Sequence, residues 1–371
     1  MIGANSPLGE SARAGRPIGV GIIGLGAEGS WAGRAHVPAL RAVPGFELRA
    51  LSASSAESAA RSGEVHGVSR TFGSAAELAR CDEVDLVVVA VKVPHHRELV
   101  TAAVEAGKAV LCEWTLGNGA AESAELEAMA RAAAVPNAIG LQARSSPVVA
   151  HVRRLVADGY VGEVLSTTVV GTGSSWGAET DPRNSYNLDE ANGVTVLTIP
   201  FAHTLDGVAY VLGEPEYLRI EQARRRRTAL DTVSGKTVPF DSADQVVASV
   251  RFPGGVVGSM HYRGGTTRGE GLHWEINGTE GDLVVTAPSG HMQLAPLRLF
   301  GGRGTQRVLA PLDTPPDLLR VPGIDRVEQS PAYAVAHAYQ RMLDDLRTGS
   351  DTVPDFAHAT HRHQGLEAAL G

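Results

Sequence analysis

Ile18-Gly19-Val20-Gly21-Ile22-Ile23 runs without a break into Gly24-Leu25-Gly26-Ala27-Glu28-Gly29. A short apolar, β-branched strand that opens directly into G-x-G-x-x-G is the fingerprint of a dinucleotide-binding turn. The first glycine makes the tight turn, the second lets backbone approach a pyrophosphate, and the third lets the next helix pack close to the strand. Phosphate then rests on the N-terminus of that helix. Gly24, Gly26, Ala27, Glu28 and Gly29 are therefore candidate cofactor-binding residues.

Working outward, further strands are expected over residues 46–51, 85–91 and 109–112, with alanine-rich amphipathic segments between them. Strands that alternate with helices predict an α/β fold with a parallel, doubly wound sheet of the Rossmann type. The second strand ends in Ala50-Leu51-Ser52-Ala53-Ser54-Ser55, where an NAD site carries an acid for the ribose 2′-hydroxyl. Small hydroxyl side chains in its place leave room and donors for a 2′-phosphate. Ser52 and Ser54 thus point to NADP, with Arg70 as a source of positive charge. A plain polar turn, with NAD as cofactor, is the alternative.

The chain has 371 residues, 43% hydrophobic and 20% charged, enough for two domains with sizeable cores. A net charge of −8 and a pI near 5.9 argue against a nucleic-acid partner. The basic run Arg224 to Arg227 has no interleaved aromatics and reads as a solvated turn or strand edge, with a phosphate clamp the alternative. Only Cys81 and Cys112 occur, so no disulfide framework or cysteine metal site is indicated, which fits a reducing compartment. No run approaches the ~18 to 20 apolar residues of a membrane span. Residues 1–16 have no apolar signal-peptide core and read as a disordered tail. A cytoplasmic protein without a membrane partner is expected. His358, His361 and His363 have roughly metal-like spacing but no acidic or cysteine partner nearby, so they read as a polar stretch of the terminal helix, and no metal site is expected.

Residues 17–142 are read as the dinucleotide-binding domain. Residues 143–371 form a second, α+β domain, its last helix returning towards the first. After a helix over 147–158, strands are expected over 163–171, 246–251, 256–262, 273–277, 282–286 and 292–297. Consecutive strands with glycine-rich turns such as Pro253-Gly254-Gly255 predict a large, mostly antiparallel sheet. Residues 311–329 read as an irregular excursion.

Several turns carry a family resemblance: Val91-Lys92-Val93-Pro94-His95-His96, Cys112-Glu113-Trp114-Thr115-Leu116, Gly140-Leu141-Gln142-Ala143-Arg144, Asn192-Gly193-Val194, His203-Thr204-Leu205-Asp206 and Asn277-Gly278-Thr279-Glu280-Gly281. On these the chain resembles the glucose-fructose oxidoreductase, inositol dehydrogenase and MocA-type (Gfo/Idh/MocA) family, which shows T-P-N-x-x-H-like and C-E-K-P-L-like turns. The resemblance implies cofactor contacts at Val91, His96, Glu113, Trp114, Gln142 and Arg144. It implies a substrate-covering loop over 171–192 carrying Trp176, Arg183, Tyr186 and Asp189, and assembly as a homodimer or homotetramer. It also implies hydride transfer to or from a sugar-like or polyol-like substrate.

Family dehydrogenases use the lysine of E-K-P with the acid and histidine of D-x-x-x-H to bind and deprotonate a hydroxyl. Here His203 remains, but Trp114 occupies the lysine position and Ile199 that of the acid. Glu113-Trp114, the run from Leu141 to Pro147 and Phe201 to Asp206 are also similar to the fungal galactose-pathway repressor, an NADP-binding regulator on this fold. That likeness implies the alternative of a non-catalytic regulator or sensor.

Hydride transfer needs a group to take or give the hydroxyl proton. His203 can do so because imidazole titrates near neutral pH; otherwise it is a packed core side chain. Lys92, at the carboxyl end of a sheet strand, is either a second proton-handling group with a pKa lowered by desolvation or a surface or phosphate-contacting lysine. Trp114 is either a hydrophobic plug or a flat surface on which a sugar's apolar face stacks.

Overall fold

Alternation of strand and helix over the first 140 residues yields six strands: β1 (Ile18–Ile23), β2 (Phe46–Ser52), β3 (Arg70–Phe72), β4 (Leu86–Val89), β5 (Ala109–Glu113) and β6 (Asn137–Gly140). They pair in the order β3-β2-β1-β4-β5-β6, every pair parallel. β1 and β4 are buried at every residue, as continuous apolar runs must be in a sheet covered on both faces. The chain winds from β1 to β3 on one side and from β4 to β6 on the other. The carboxyl ends of β1 and β4 therefore form the switch point where such sheets bind ligands.

The computed structural model describes residues 6–327 and 330–371. Met1–Ser145 with Arg320–His363 make one compact unit; Ser146–Leu319 with Gln364–Gly371 make a second. Residues 320–363 group with the first unit because the helix Ala332–Thr348 buries Val335, Tyr339, Met342, Leu343 and Leu346 in its core, a spacing that lines one helical face.

The stretch expected as a disordered tail also takes part in that core. Ser6 caps the helix Pro7–Arg13 by accepting from Gly9 N at 3.2 Å, and Leu8 and Ala12, one turn apart, are buried. Residues 1–5 of the tail lie outside the described residues.

The second unit holds β7 (Val164–Gly173), β8 (Glu179–Thr180), β9 (Tyr217–Ala223), β10 (Thr228–Asp231), β11 (Thr237–Pro239), β12 (Gln245–Arg251), β13 (Val257–Gly264), β14 (Leu272–Gly278), β15 (Gly281–Ala287), β16 (Arg298–Arg303) and β17 (Ala310–Pro311). The eight-stranded sheet runs β17-β16-β15-β14-β7-β13-β12-β9, and only its β7–β13 pair is parallel. A small β11-β10-β8 sheet stands apart. Residues 292–297 are not the expected strand: Pro296 removes a ladder donor, and pairing begins at Arg298. β9 was not anticipated, because its Tyr-Leu-Arg-Ile-Glu-Gln-Ala sequence is largely polar, as suits a strand at a sheet edge. The irregular reading of 311–329 matches short 3₁₀ turns up to Arg326, with residues 328 and 329 outside the described residues.

One helical stretch, Glu190–Leu212, contains an 18-residue window of mean hydropathy 1.3, but the stretch is interrupted by Glu190, Asn192, His203 and Asp206 and 78% of the window is buried, so its apolar side chains are consumed by the protein core.

Burial also sets a pH dependence. His291 in the second unit and His337 in the first are each pushed down to about 4, chiefly by burial, with Arg341 adding to the effect at His337. In the unfolded chain both bind protons near pH 6.5, so stability is complete above that value and falls as pH drops from 6.5 towards 4. The expected loss is on the order of 3 kcal/mol per histidine. Urea midpoints measured at pH 7.0, 5.5 and 4.0 check this, and a flat series would refute it.

Candidate functional site

The glycine turn after β1 is fixed from two sides. Gly24, at φ +92°, donates its N–H to Ser52 O at 3.1 Å, and a Cβ there would lie 2.5 Å from Val91 Cγ1 and 2.7 Å from Ala90 O. The turn after β1 thus presses directly on the turn after β4. Gly26 differs: a Cβ would meet nothing closer than 3.6 Å. Behind it, the Gly26 carbonyl faces His66 Nε2 at 3.1 Å, and Ser62 Oγ donates to Leu25 O at 2.7 Å. Ala27, Glu28 and Gly29 complete the turn, Gly29 with φ +61°.

At the end of β2, Ser52 is buried while Ser54 is exposed. Ser55, beside it, caps the helix Ala56–His66. Arg70 lies opposite Ala50 in the β2–β3 register and pairs with Glu83 at 2.7 Å on the surface.

Beyond β4, Val91 is half-buried and Lys92 exposed. His96 is buried, with Nδ1 2.7 Å from Thr115 O and Nε2 3.1 Å from Val91 O. Burial lowers its pKa against the opposing pull of these carbonyls, and a neutral ring, with one N–H, donates to only one of the two at a time. Cys112 Sγ lies 3.3 Å from His96 Nδ1, its thiol pushed up by burial.

Glu113, the last residue of β5, is held from two sides. Gln142 Nε2 donates to both carboxylate oxygens at 2.8 and 2.9 Å, and His36 Nε2 lies 3.1 Å from Oε1. His36 Nδ1 in turn lies 2.9 Å from the Tyr339 hydroxyl. Gly140 is what admits the arrangement, since a Cβ there would come within 2.6 Å of Glu113 Oε1 and 2.9 Å of Gln142 Nε2. His36 and Tyr339 escaped the sequence reading. Only a histidine in the helical segment that follows the glycine turn signalled them, and Tyr339 is far away in sequence.

Trp114 is buried and meets the His363 ring edge-on, centroids 4.6 Å apart. His363 Nδ1 lies 2.8 Å from Ser123 Oγ, and His358 Nε2 is 2.9 Å from Arg144 Nη2. His358 and His363 of the terminal helix thus serve hydrogen bonding and packing, while His361 is exposed. No group suited to hold a metal ion occurs among the described residues.

In the second unit, His203 is buried in the first turn of the helix Ala202–Leu212, which continues the turn Leu197–Phe201 that contains Ile199. Its neighbour Thr204 bonds the Tyr262 hydroxyl at 2.5 Å, which donates to Gly290 O at 2.9 Å. Trp176 is a core side chain and not an exposed loop residue: its Nε1 donates to Asn187 O and Val194 O, and its ring stacks 6.2 Å from His291. Arg183 and Asp189 are exposed and Tyr186 half-buried. Asp181 orders this loop by accepting from Arg183 N and from Asn184, bonds that hold its carboxyl below the usual range. Asp189 accepts from Ala191 N.

Residues 18–140 match the family model described as oxidoreductase family, NAD-binding Rossmann fold, and residues 147–287 that described as Gal80p, C-terminal domain. Dehydrogenase aclE of Aspergillus oryzae is 32% identical over 76% of this chain and 80% of its own length. The galactose/lactose metabolism regulatory protein GAL80 of Saccharomyces cerevisiae is 25% identical over 93% and 84% respectively. The crystal structure of a super-repressor mutant of that yeast's Gal80p matches with a TM-score of 0.83 at 23% identity, over 95% of this chain and 94% of that one. Levoglucosan dehydrogenase of Pseudarthrobacter phenanthrenivorans is 27% identical over 72% and 73%. A levoglucosan dehydrogenase solved with NADH and levoglucosan has a TM-score of 0.78 at 20% identity, over 95% of this chain and 96% of that one.

Proposed function

We propose, for a chain that belongs to the Gfo/Idh/MocA oxidoreductase family, that it is an NADP-dependent oxidoreductase acting on a sugar-like or polyol-like hydroxyl or ketone. The observation that carries this reading is the glycine turn at the switch point, jammed at Gly24 and open at Gly26, which fits the backbone approach of a pyrophosphate. Gly24, Gly26, Ala27, Glu28 and Gly29 would hold it. Val91, His96, Glu113, Trp114, Gln142 and Arg144 are assigned to the rest of the dinucleotide. Bound nicotinamide supplies the hydride donor or acceptor. The chain's own part is to hold the substrate and move its hydroxyl proton, assigned to His203, with Lys92 the second candidate. Arg183, Tyr186 and Asp189 are assigned, with His203, to the substrate, whereas the buried Trp176 is left to the core. The test is a panel of sugars, glycosides and polyols read at the nicotinamide absorbance band.

Support for NADP comes from the missing acid at the end of β2, the exposed Ser54 and the nearby Arg70. The Arg70–Glu83 pair is solvent-exposed and worth little, but Glu83 lies beside Gly19 at the amino end of β1, so Arg70 must leave that pair to serve a 2′-phosphate. NADP(H) is expected to bind about tenfold more tightly than NAD(H), and Arg70→Ala to erase most of that difference. Calorimetric titration of both cofactors decides it; equal affinities in the parent protein would discard the preference.

A second reading, a non-catalytic NADP-binding regulator, is favoured by one observation: where the family lysine is expected, Trp114 packs against His363 and offers no cation. Tight NADP binding together with a wholly inactive panel would select this reading over the enzyme.

Assembly as a homodimer or homotetramer is proposed through the open face of the eight-stranded sheet. Val170, His261 and Val247 stand abreast on β7, β13 and β12, and both valines are more than two-fifths exposed. Sedimentation of Val247→Asp is expected to show a smaller species than the parent, and unchanged sedimentation would exclude this face.

A further inference from the structure

The chain Tyr339–His36–Glu113–Gln142 belongs entirely to the first unit and joins residues far apart in sequence. An ionised Glu113 can only accept, so the His36 Nε2 facing Oε1 carries the proton. In that tautomer Nδ1 accepts, and the Tyr339 hydroxyl donates to it. Tyr339 suits that role because burial, followed by the charge of Glu113, holds its pKa well above the ordinary value. His36 is wholly buried, whereas Glu113 keeps 12% of its side chain exposed. A cavity of about 20 Å³ bordered by His36, Glu113, Gln142 and Tyr339 has room for one water molecule.

We infer that His36, oriented by Tyr339, is a positioning residue that holds the Glu113 carboxylate in place to accept a hydroxyl of the non-adenosine half of a bound dinucleotide. The half follows from topology. One mononucleotide lies over β1 to β3 and the other over β4 to β6, and Glu113 ends β5. Gln142 grips the carboxylate from the adjacent strand end, and Gly140 leaves the space for that grip. The inference rests on the dinucleotide site proposed above.

The test compares two ligands, the intact NADP(H) and its adenosine half, 2′,5′-ADP, by calorimetry on the full chain. Tyr339→Phe removes only the hydroxyl and keeps the ring against Phe46; His36→Leu removes the donor to Glu113. A lost hydrogen bond to a charged group corresponds to about a tenfold rise in Kd. That rise is expected for the dinucleotide in His36→Leu, a smaller one in Tyr339→Phe, and none for 2′,5′-ADP in either. His36→Gln, which can still donate, is expected to restore most of the dinucleotide affinity.

Equal weakening of both ligands would show a merely structural role and overturn the inference, as would an unchanged dinucleotide Kd in Tyr339→Phe and His36→Leu. Should His36→Leu fail to fold, Tyr339→Phe and His36→Gln decide alone. A parent protein that binds neither ligand would instead sink the dinucleotide reading itself, and the positioning role with it.

Discussion

Replacing His203 with alanine is expected to slow nicotinamide turnover by roughly 10² to 10⁴-fold, the usual cost of losing a positioned proton-transfer group. Cofactor affinity should hardly move, because a group acting on the substrate's proton contributes to the chemical step and not to dinucleotide binding. The family lysine and acid are absent, so in the proposed enzyme His203 would carry more of the burden than in an intact triad. His203 is buried, so the variant's unfolding midpoint must be measured alongside to show that the loss is chemical. Turnover equal to that of the parent would remove His203 from the mechanism and leave Lys92 as the candidate.

Gly24→Ala and Gly26→Ala are expected to part company, though they lie two residues apart in one motif. At Gly24 the methyl would collide with Ala90 O and Val91 Cγ1 in a backbone conformation that L-residues avoid. A stability loss of about 3 kcal/mol or more should follow. At Gly26 the backbone is not left-handed and the space is open. There the fold should be within about 1 kcal/mol of the parent, while dinucleotide affinity falls by roughly tenfold or more as the methyl stands in the pyrophosphate's path. Chemical denaturation and calorimetry on both variants check the pair. A Gly26→Ala protein that binds as tightly as its parent would dismiss the turn as a phosphate cradle.

In the first unit β1, β2, β4 and β5 were legible because their signals are local, whereas the short β3 and β6 and the return of the helix Ala332–Thr348 were not. Ile18 to Gly29 encodes strand, turn and glycine placement within twelve residues, and the buried runs of β1 and β4 announce a doubly covered sheet. The site was legible only where a motif marks it, as at Glu113 and Gln142. The partners that orient Glu113 were not, because His36 and Tyr339 lie 303 residues apart and a single hydrogen bond between distant elements leaves no periodic trace. Trp176 was misplaced for a related reason. A tryptophan in a polar, glycine-containing stretch suggests a loop surface, yet its indole N–H is satisfied by two backbone carbonyls in the interior. The N-terminal helix was missed because its seven residues are too short for an amphipathic pattern and are held by contacts with the helix Ala332–Thr348.

That last helix also sets a timetable for synthesis. The first unit is interrupted by residues 146–319 and closed only by residues 320–363. At a translation rate of roughly 5 to 20 residues per second, about ten to thirty seconds or more pass before the missing segment leaves the ribosome. Throughout that interval Val37, Leu40 and Phe46, which end beside Tyr339 and Leu343 in one core, lack their cover. The newborn chain must therefore carry an apolar patch of its oldest part through the whole production of its younger unit, a window in which that patch lacks its native cover.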